Sequence, residues 1–126
     1  MLTGAGLPGP QIEAIPIAVE SRPSTDQGLA AARRLICLGT LPVILIVGSH
    51  EPRKNHLPVL HASEVLWREG LKFTLTFVGG NSWNSERFNR YVEELQARDR
   101  PIQVIRALAE DLLWAAYRVA HCTVFP

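Results

Sequence analysis

The chain has 126 residues, with 13 basic and 12 acidic side chains and a formal net charge of +1. That length is enough for one domain with a real core, and the balanced charge offers no overall field for nucleic acid or an anionic membrane. The longest apolar stretch, Leu35 to Val47, is broken by Gly39 and Pro42 and is too short to cross a bilayer.

The N-terminus, Met-Leu-Thr-Gly-Ala-Gly-Leu-Pro, has neither the basic nor the apolar region of a signal peptide, so a cytoplasmic protein is expected. Cys37 and Cys122 lie in apolar runs and are expected to be buried, reduced thiols rather than a disulfide. Residues 1–28 are rich in Gly, Pro and Ser and read as a linker, with one β-like piece at Ile12-Glu-Ala-Ile-Pro-Ile-Ala-Val19. Ala30 to Leu38 reads as a short helix ended near Gly39.

A regular alternation follows. Val43-Ile-Leu-Ile-Val47 is a continuous apolar run, as suits a strand covered on both faces. Asn55 to Glu69 reads as a helix, with Asn55 as N-cap, Pro58 in the first turn and Gly70 as the stop. Leu57, Leu60 and Trp67 fall near one side of it, and His61, Glu64 and Arg68 mark a solvated stripe. Phe73 to Val78 is a second strand stopped by Gly79-Gly80. Ser85 to Arg98 is a helix carrying Phe88, Val92 and Leu95 at helical spacing. Ile102 to Ile105 is a third strand, Glu110 to His121 a helix, and Cys122 to Phe125 a fourth strand. Strict alternation with short connections predicts an α/β, Rossmann-like domain. Its parallel sheet has about four strands in the order 3-2-1-4, with helices on both faces. The topological switch then lies between the first and fourth strands, where ligands bind at the carboxyl ends.

The loop leaving the first strand, Gly48-Ser-His-Glu-Pro-Arg-Lys-Asn55, carries two adjacent cations, Arg53 and Lys54, toward a helix start. Such a place suits a diphosphate. It is not a dinucleotide fingerprint, because Gly48 is its only glycine. Nor is it a P-loop, because Arg53 precedes and Asn55 follows the lysine. A nucleotide-sugar site, holding a diphosphate with cations and no metal, is the remaining reading.

Val47 to His56 resembles the signature of retaining glycosyltransferases of family 4 (group 1) in their nucleotide-sugar-binding half. The resemblance continues through Leu66-Trp-Arg-Glu-Gly70, Phe77-Val-Gly-Gly80 with Trp83, Leu113 to Ala120, and Thr123-Val-Phe-Pro126. It covers residues 12–126, with Ile12 to Val19 similar to the segment where those enzymes cross between domains. It implies a GT-B fold of two facing Rossmann-like halves, with residues 29–126 part of the donor-binding half. By position Lys54 matches the lysine that holds the donor diphosphate, assisted by Arg53. Gly48, Gly79 and Gly80 match glycines beside the nucleotide, and Leu108 an apolar residue near the base. No cofactor is expected, and because the sequence has no Asp-x-Asp pair a metal-bridged diphosphate is not expected either. The resemblance implies a nucleotide-diphospho-sugar donor, and a glycan or lipid-linked acceptor engaged by segments not seen here, in a protein peripheral at most to the inner membrane face.

Three departures stand out. Ser49 replaces an arginine, Arg106 replaces a glycine, and the sequence stops at Pro126, before the family's glutamate loop. No catalytic residue is assigned, and the chain alone is expected to be a weakly active or inactive donor-binding part, cut short relative to its family. The rival reading is a non-catalytic nucleotide-binding or interaction remnant. A cofactor-binding Rossmann domain is disfavoured by the missing glycines. Beside the cations, Glu51 is expected to pair with a neighbouring cation, His50 and His56 to be surface or capping residues, and His61 and His121 to be structural. Trp67, Trp83 and Trp114 are expected to pack helices onto the sheet.

Overall fold

The computed structural model describes residue 6 and residues 8–126. Part of the predicted linker, and of the N-terminus read as lacking a signal peptide, falls on residues 1–5 and 7, outside the described residues. The elements in chain order are α1 (Asp26–Ile36), β1 (Val43–Val47), a 3₁₀ turn (Pro52–Lys54), α2 (His56–Arg68), β2 (Thr74–Val78), α3 (Glu86–Ala97), β3 (Ile102–Ile105), α4 (Glu110–Val119) and β4 (Cys122–Thr123). The four strands form one parallel sheet in the order β3-β2-β1-β4, as expected.

Alternation along the strands divides the core into two layers. Ile46, Leu75 and Phe77 face α2 and α3, packing with Leu60, Trp67, Phe88, Val92 and Leu95. Val43, Leu45 and Val78 face the other way, with Ile36 of α1 and Ala116 of α4. Each fully buried Leu, Ile or Phe contributes about 1.5–3 kcal/mol. Thr76 takes a polar role in the second layer: its hydroxyl donates to the carbonyl of Ile36 at 2.7 Å, and Gln103 Nε2 donates to Leu35 O at 3.0 Å. These bonds satisfy carbonyls that the end of α1 leaves open.

Several boundaries differ from the sequence expectation for identifiable reasons. α1 begins within the predicted linker, because Thr25 caps it by accepting from the Gly28 N–H at 3.0 Å and Asp26 suits its positive end. The β-like piece Ile12 to Val19 forms no strand; its apolar side chains are exposed, and alternation alone does not hold a strand without a partner. β4 pairs through two residues only, and Phe125 beyond it is exposed. α4 stops at Val119, short of His121. α2 ends as foreseen at Gly70, where the Gly70 N–H donates to Trp67 O and the Leu71 N–H to Leu66 O, the paired bonds of a left-handed helix stop. Asn55 stands at its start but with φ 58° and no side-chain cap bond.

The largest correction concerns Glu64, expected on a wet stripe and found buried. Arg100 grips it with two bonds, Nε to Oε2 at 2.9 Å and Nη2 to Oε1 at 3.0 Å. Arg68 bonds it at 2.9 Å and Arg98 approaches to 3.7 Å. The hydrogen bond from Arg100, and then that from Arg68, hold its carboxyl below the usual carboxylate range against the opposing effect of desolvation. Trp83 is also misplaced by the sequence reading: it is 57% exposed on the loop before α3, whereas Trp67 is buried and donates from Nε1 to Phe73 O at 3.1 Å. Trp114 is half-buried on α4. Both cysteines are free, but Cys122 is exposed and Cys37 only half-buried. Edge position explains Cys122, since β4 has a neighbour on one side alone.

Candidate functional site

The register of β1 with β2 brings Val47 level with Val78, so the glycines that follow each strand meet at the carboxyl rim. A Cβ at Gly79 would overlap the carbonyl oxygen of Gly48 and lie 2.6 Å from its carbon. Only glycine permits this approach of two backbones. Here the Gly48 N–H donates to Val78 O at 2.9 Å, the His50 N–H to Gly80 O at 3.0 Å and the Gly79 N–H to Ile105 O at 2.9 Å. The rim is thereby fixed from three neighbouring strands.

Beyond Gly48 the chain does not enter α2 directly. Pro52, Arg53 and Lys54 form a 3₁₀ turn, and Asn55 closes it in the left-handed conformation that asparagine tolerates. The two cations thus stand one turn ahead of the helix. Their situations differ. Arg53 is 70% exposed and pairs at 2.8 Å with Glu51, itself buried; this is the pairing expected for Glu51. Lys54 is half-buried and has no ion-pair partner among the described residues. It lines a crevice of about 180 Å³ with Val47, Arg53, His56, Phe125 and Pro126. That crevice sits where the ends of β1 and β4 adjoin, at the topological switch.

The remaining nominated residues fall at the same rim but outside the crevice. Gly80 is open, with a Cβ built on it meeting only Arg106 O at 3.9 Å. Leu108 follows β3 and packs its side chain against the layer under α1 and α4. Gly48 lies beneath the Lys54 stem, whose Cδ would be 4.0 Å from a Cβ there.

His50 and His56 are not surface or capping residues; both are buried, at 2% and 4% exposure. His50 stacks on Phe88 with centroids 4.5 Å apart, and the two Nδ1 atoms stand 3.5 Å from each other. Burial, then the neighbouring His50 and Lys54 charges, push His56 down to about 4. Burial lowers His50 too, with the Gly79 backbone pulling the other way. Both are neutral imidazoles near pH 7. Nothing local in the sequence announces this, because the ring that covers His50 comes from a distant helix. His61 is exposed and stacks on Tyr91, joining α2 to α3, and His121 is exposed beside β4. A larger cavity, of about 490 Å³, opens between the amino ends of α2 and α3, with His50 and His56 on its wall. Among the described residues no cluster of three or more His, Cys, Asp or Glu is placed to hold a metal ion, and no helix is long and apolar enough to cross a membrane.

No family model matches the sequence. Over 105 residues the chain is 29% identical to a serotype-specific mannosyltransferase WbdA of Escherichia coli, covering 83% of this chain and 13% of that protein. Another WbdA from the same species aligns at 28% identity over an equal length. The chain therefore spans about 13% of the length of the curated relatives it matches. Among solved structures, the catalytic domain of starch synthase IV from Arabidopsis thaliana, bound to ADP and acarbose, superposes with a TM-score of 0.58 at 15% identity, over 80% of this chain and 21% of that one. That likeness carries the fold, and the alignment with the mannosyltransferases carries the kinship. Together with the parallel sheet ordered β3-β2-β1-β4, they support a partial domain of the group 1 glycosyltransferase type, with the fold of one Rossmann-like half of a GT-B enzyme.

Proposed function

We propose that the Lys54 crevice binds the diphosphate of a nucleotide-sugar donor. The observation that carries the reading is Lys54, a half-buried residue with no ion-pair partner among the described residues, beside the β1–β4 switch. When a sugar leaves a nucleoside diphosphate, negative charge builds on the departing phosphoryl oxygens, and a preorganised cation stabilises it. A charge-assisted hydrogen bond from Lys54 contributes about 1.5–3 kcal/mol. Arg53, on the surface, can exchange the Glu51 carboxylate for two phosphoryl oxygens. Gly48, Gly79 and Gly80 keep the rim low beside the nucleotide, and the backbone at Leu108 lies toward the base. The whole protein would transfer the sugar, with retention, to a glycan or polysaccharide acceptor on the cytoplasmic side. The mannosyltransferase relatives make mannose the first sugar to test.

A second reading, a nucleotide-binding module without turnover, is favoured by one observation: the residues lining the lysine crevice include no carboxylate. Both readings require diphosphate binding and part only at turnover. Calorimetric titration with ADP, GDP and UDP tests what they share. At least one should bind, and Lys54→Ala should weaken it about 10- to 150-fold. Absence of binding to all three overturns the proposal.

A further inference from the structure

We propose that the cavity between the amino ends of α2 and α3 is a sugar subsite, taking a neutral polyhydroxylated ring, separate from the lysine crevice. Its volume of about 490 Å³ falls within the range of small-molecule sites. Two long helices aim their positive ends at it, α2 with 13 residues and α3 with 12, and neither Asn55 nor Ser85 caps its helix with a side-chain bond. The Ser85 hydroxyl is turned back to Ser82 O at 2.9 Å. First-turn N–H groups are therefore left for a ligand.

An independent observation comes from the wall. His50 is 2% exposed and lines the cavity, and its Nε2 has no hydrogen-bond partner among the described residues. A buried polar atom without a partner calls for one. The other ring nitrogen faces the Nδ1 of His56 at 3.5 Å, so one imidazole donates and the other accepts. Whether the Nε2 of His50 is donor or acceptor follows from which of them holds the proton. A hydroxyl serves either tautomer, whereas a phosphate oxygen in its ionised form serves only one.

Charge argues the same way. Glu51 and Glu86 stand on the lining with Arg87, and Glu51 is matched by Arg53. The cavity is near neutral and holds carboxylates that an anion would meet unfavourably. Carboxylate, amide and guanidinium groups together (Asn55 and Asn84 supply the amides) are the planar donors and acceptors that engage neighbouring hydroxyls in pairs.

The inference does not depend on the diphosphate assignment. Amide chemical shifts of the 126-residue chain, followed by NMR during separate additions of mannobiose, inorganic phosphate and ADP, test it. Mannobiose should move the amides of Asn55 to Leu57 and Asn84 to Phe88, with a Kd of about 1–10 mM. It should still do so in Lys54→Ala. Asn84→Ala and Arg87→Ala, both at exposed positions, should each weaken it about fivefold or more. No shifts at these amides up to about 50 mM mannobiose, shifts that neither variant reduces, or displacement of the sugar by phosphate would each overturn the subsite. ADP is the control: if it binds while the sugar arm fails, the diphosphate reading stands alone, and the converse result isolates the sugar site.

Discussion

The two rims of the sheet treat charge in opposite ways. At the amino rim, Glu64 is buried and its carboxylate is met by Arg100, Arg68 and Arg98, which tie α2 to the turn that leads into β3. The buried carboxylate there has three cationic partners within the fold. At the carboxyl rim, among the described residues, Lys54 has no ion-pair partner and the Nε2 of His50 no hydrogen-bond partner, and the starts of α2, α3 and α4 lack side-chain caps. Unmet polar groups cost free energy when buried, so a fold concentrates them only where something else supplies the missing bond. Among the described residues the amino rim has one unpartnered buried hydroxyl of its own, at Thr74, so the contrast is one of charge: the buried carboxylate is paired at one rim, and Lys54 at the other has no ion-pair partner.

The comparison can be broken at the carboxyl rim first. Gly79→Ala forces a methyl group onto the Gly48 carbonyl and should cost about 2–4 kcal/mol of stability, read from urea unfolding. Next comes acid. His56 is held at about 4 from an ordinary 6.5, chiefly by burial. Above pH 6.5 its contribution is complete, because folded and unfolded chains are both neutral there. As pH falls toward 4 the unfolded chain takes the proton first, and the fold should weaken by about 2–3 kcal/mol after discounting for solvent screening. His56→Phe should flatten that window. Glu64 acts lower: its depressed carboxyl stabilises the fold above the ordinary carboxylate range and loses that effect as pH falls through its folded value.

At the amino rim, Glu64→Gln should cost about 1.5–3 kcal/mol at neutral pH and leave nucleotide affinity unchanged, which a parallel titration checks. The smallest effect separates the two cations. Arg53→Ala should weaken diphosphate binding by no more than about fivefold, because Arg53 is exposed and already paired. Should it instead match the loss in Lys54→Ala, the inequality drawn between them would be wrong.

Much of this was open to a reader of the sequence. The runs Val43 to Val47 and Thr74 to Val78, with glycines behind each, specify buried parallel strands, and Gly70 specifies a helix stop. Thr25 and Asp26 carried a cap signal that the Pro-rich stretch before them masked. Glu64 and Arg68 were legible as an i,i+4 pair, but Arg100 joins them from far along the chain, and that contact is what allows the carboxylate to be buried. The pairing of Glu51 with a neighbouring cation was legible, but Phe88 over His50 could not be read from neighbours in the sequence.

Hydrophobic periodicity and glycine placement, both properties of local chain, determined the elements, their parallel order and the loop that bears Arg53 and Lys54. Tertiary structure alone decided which of those cations has no ion-pair partner among the described residues, which histidines are dry and where the second cavity opens. Those outcomes depend on burial and on partners brought together from separate elements, and local spacing does not encode either.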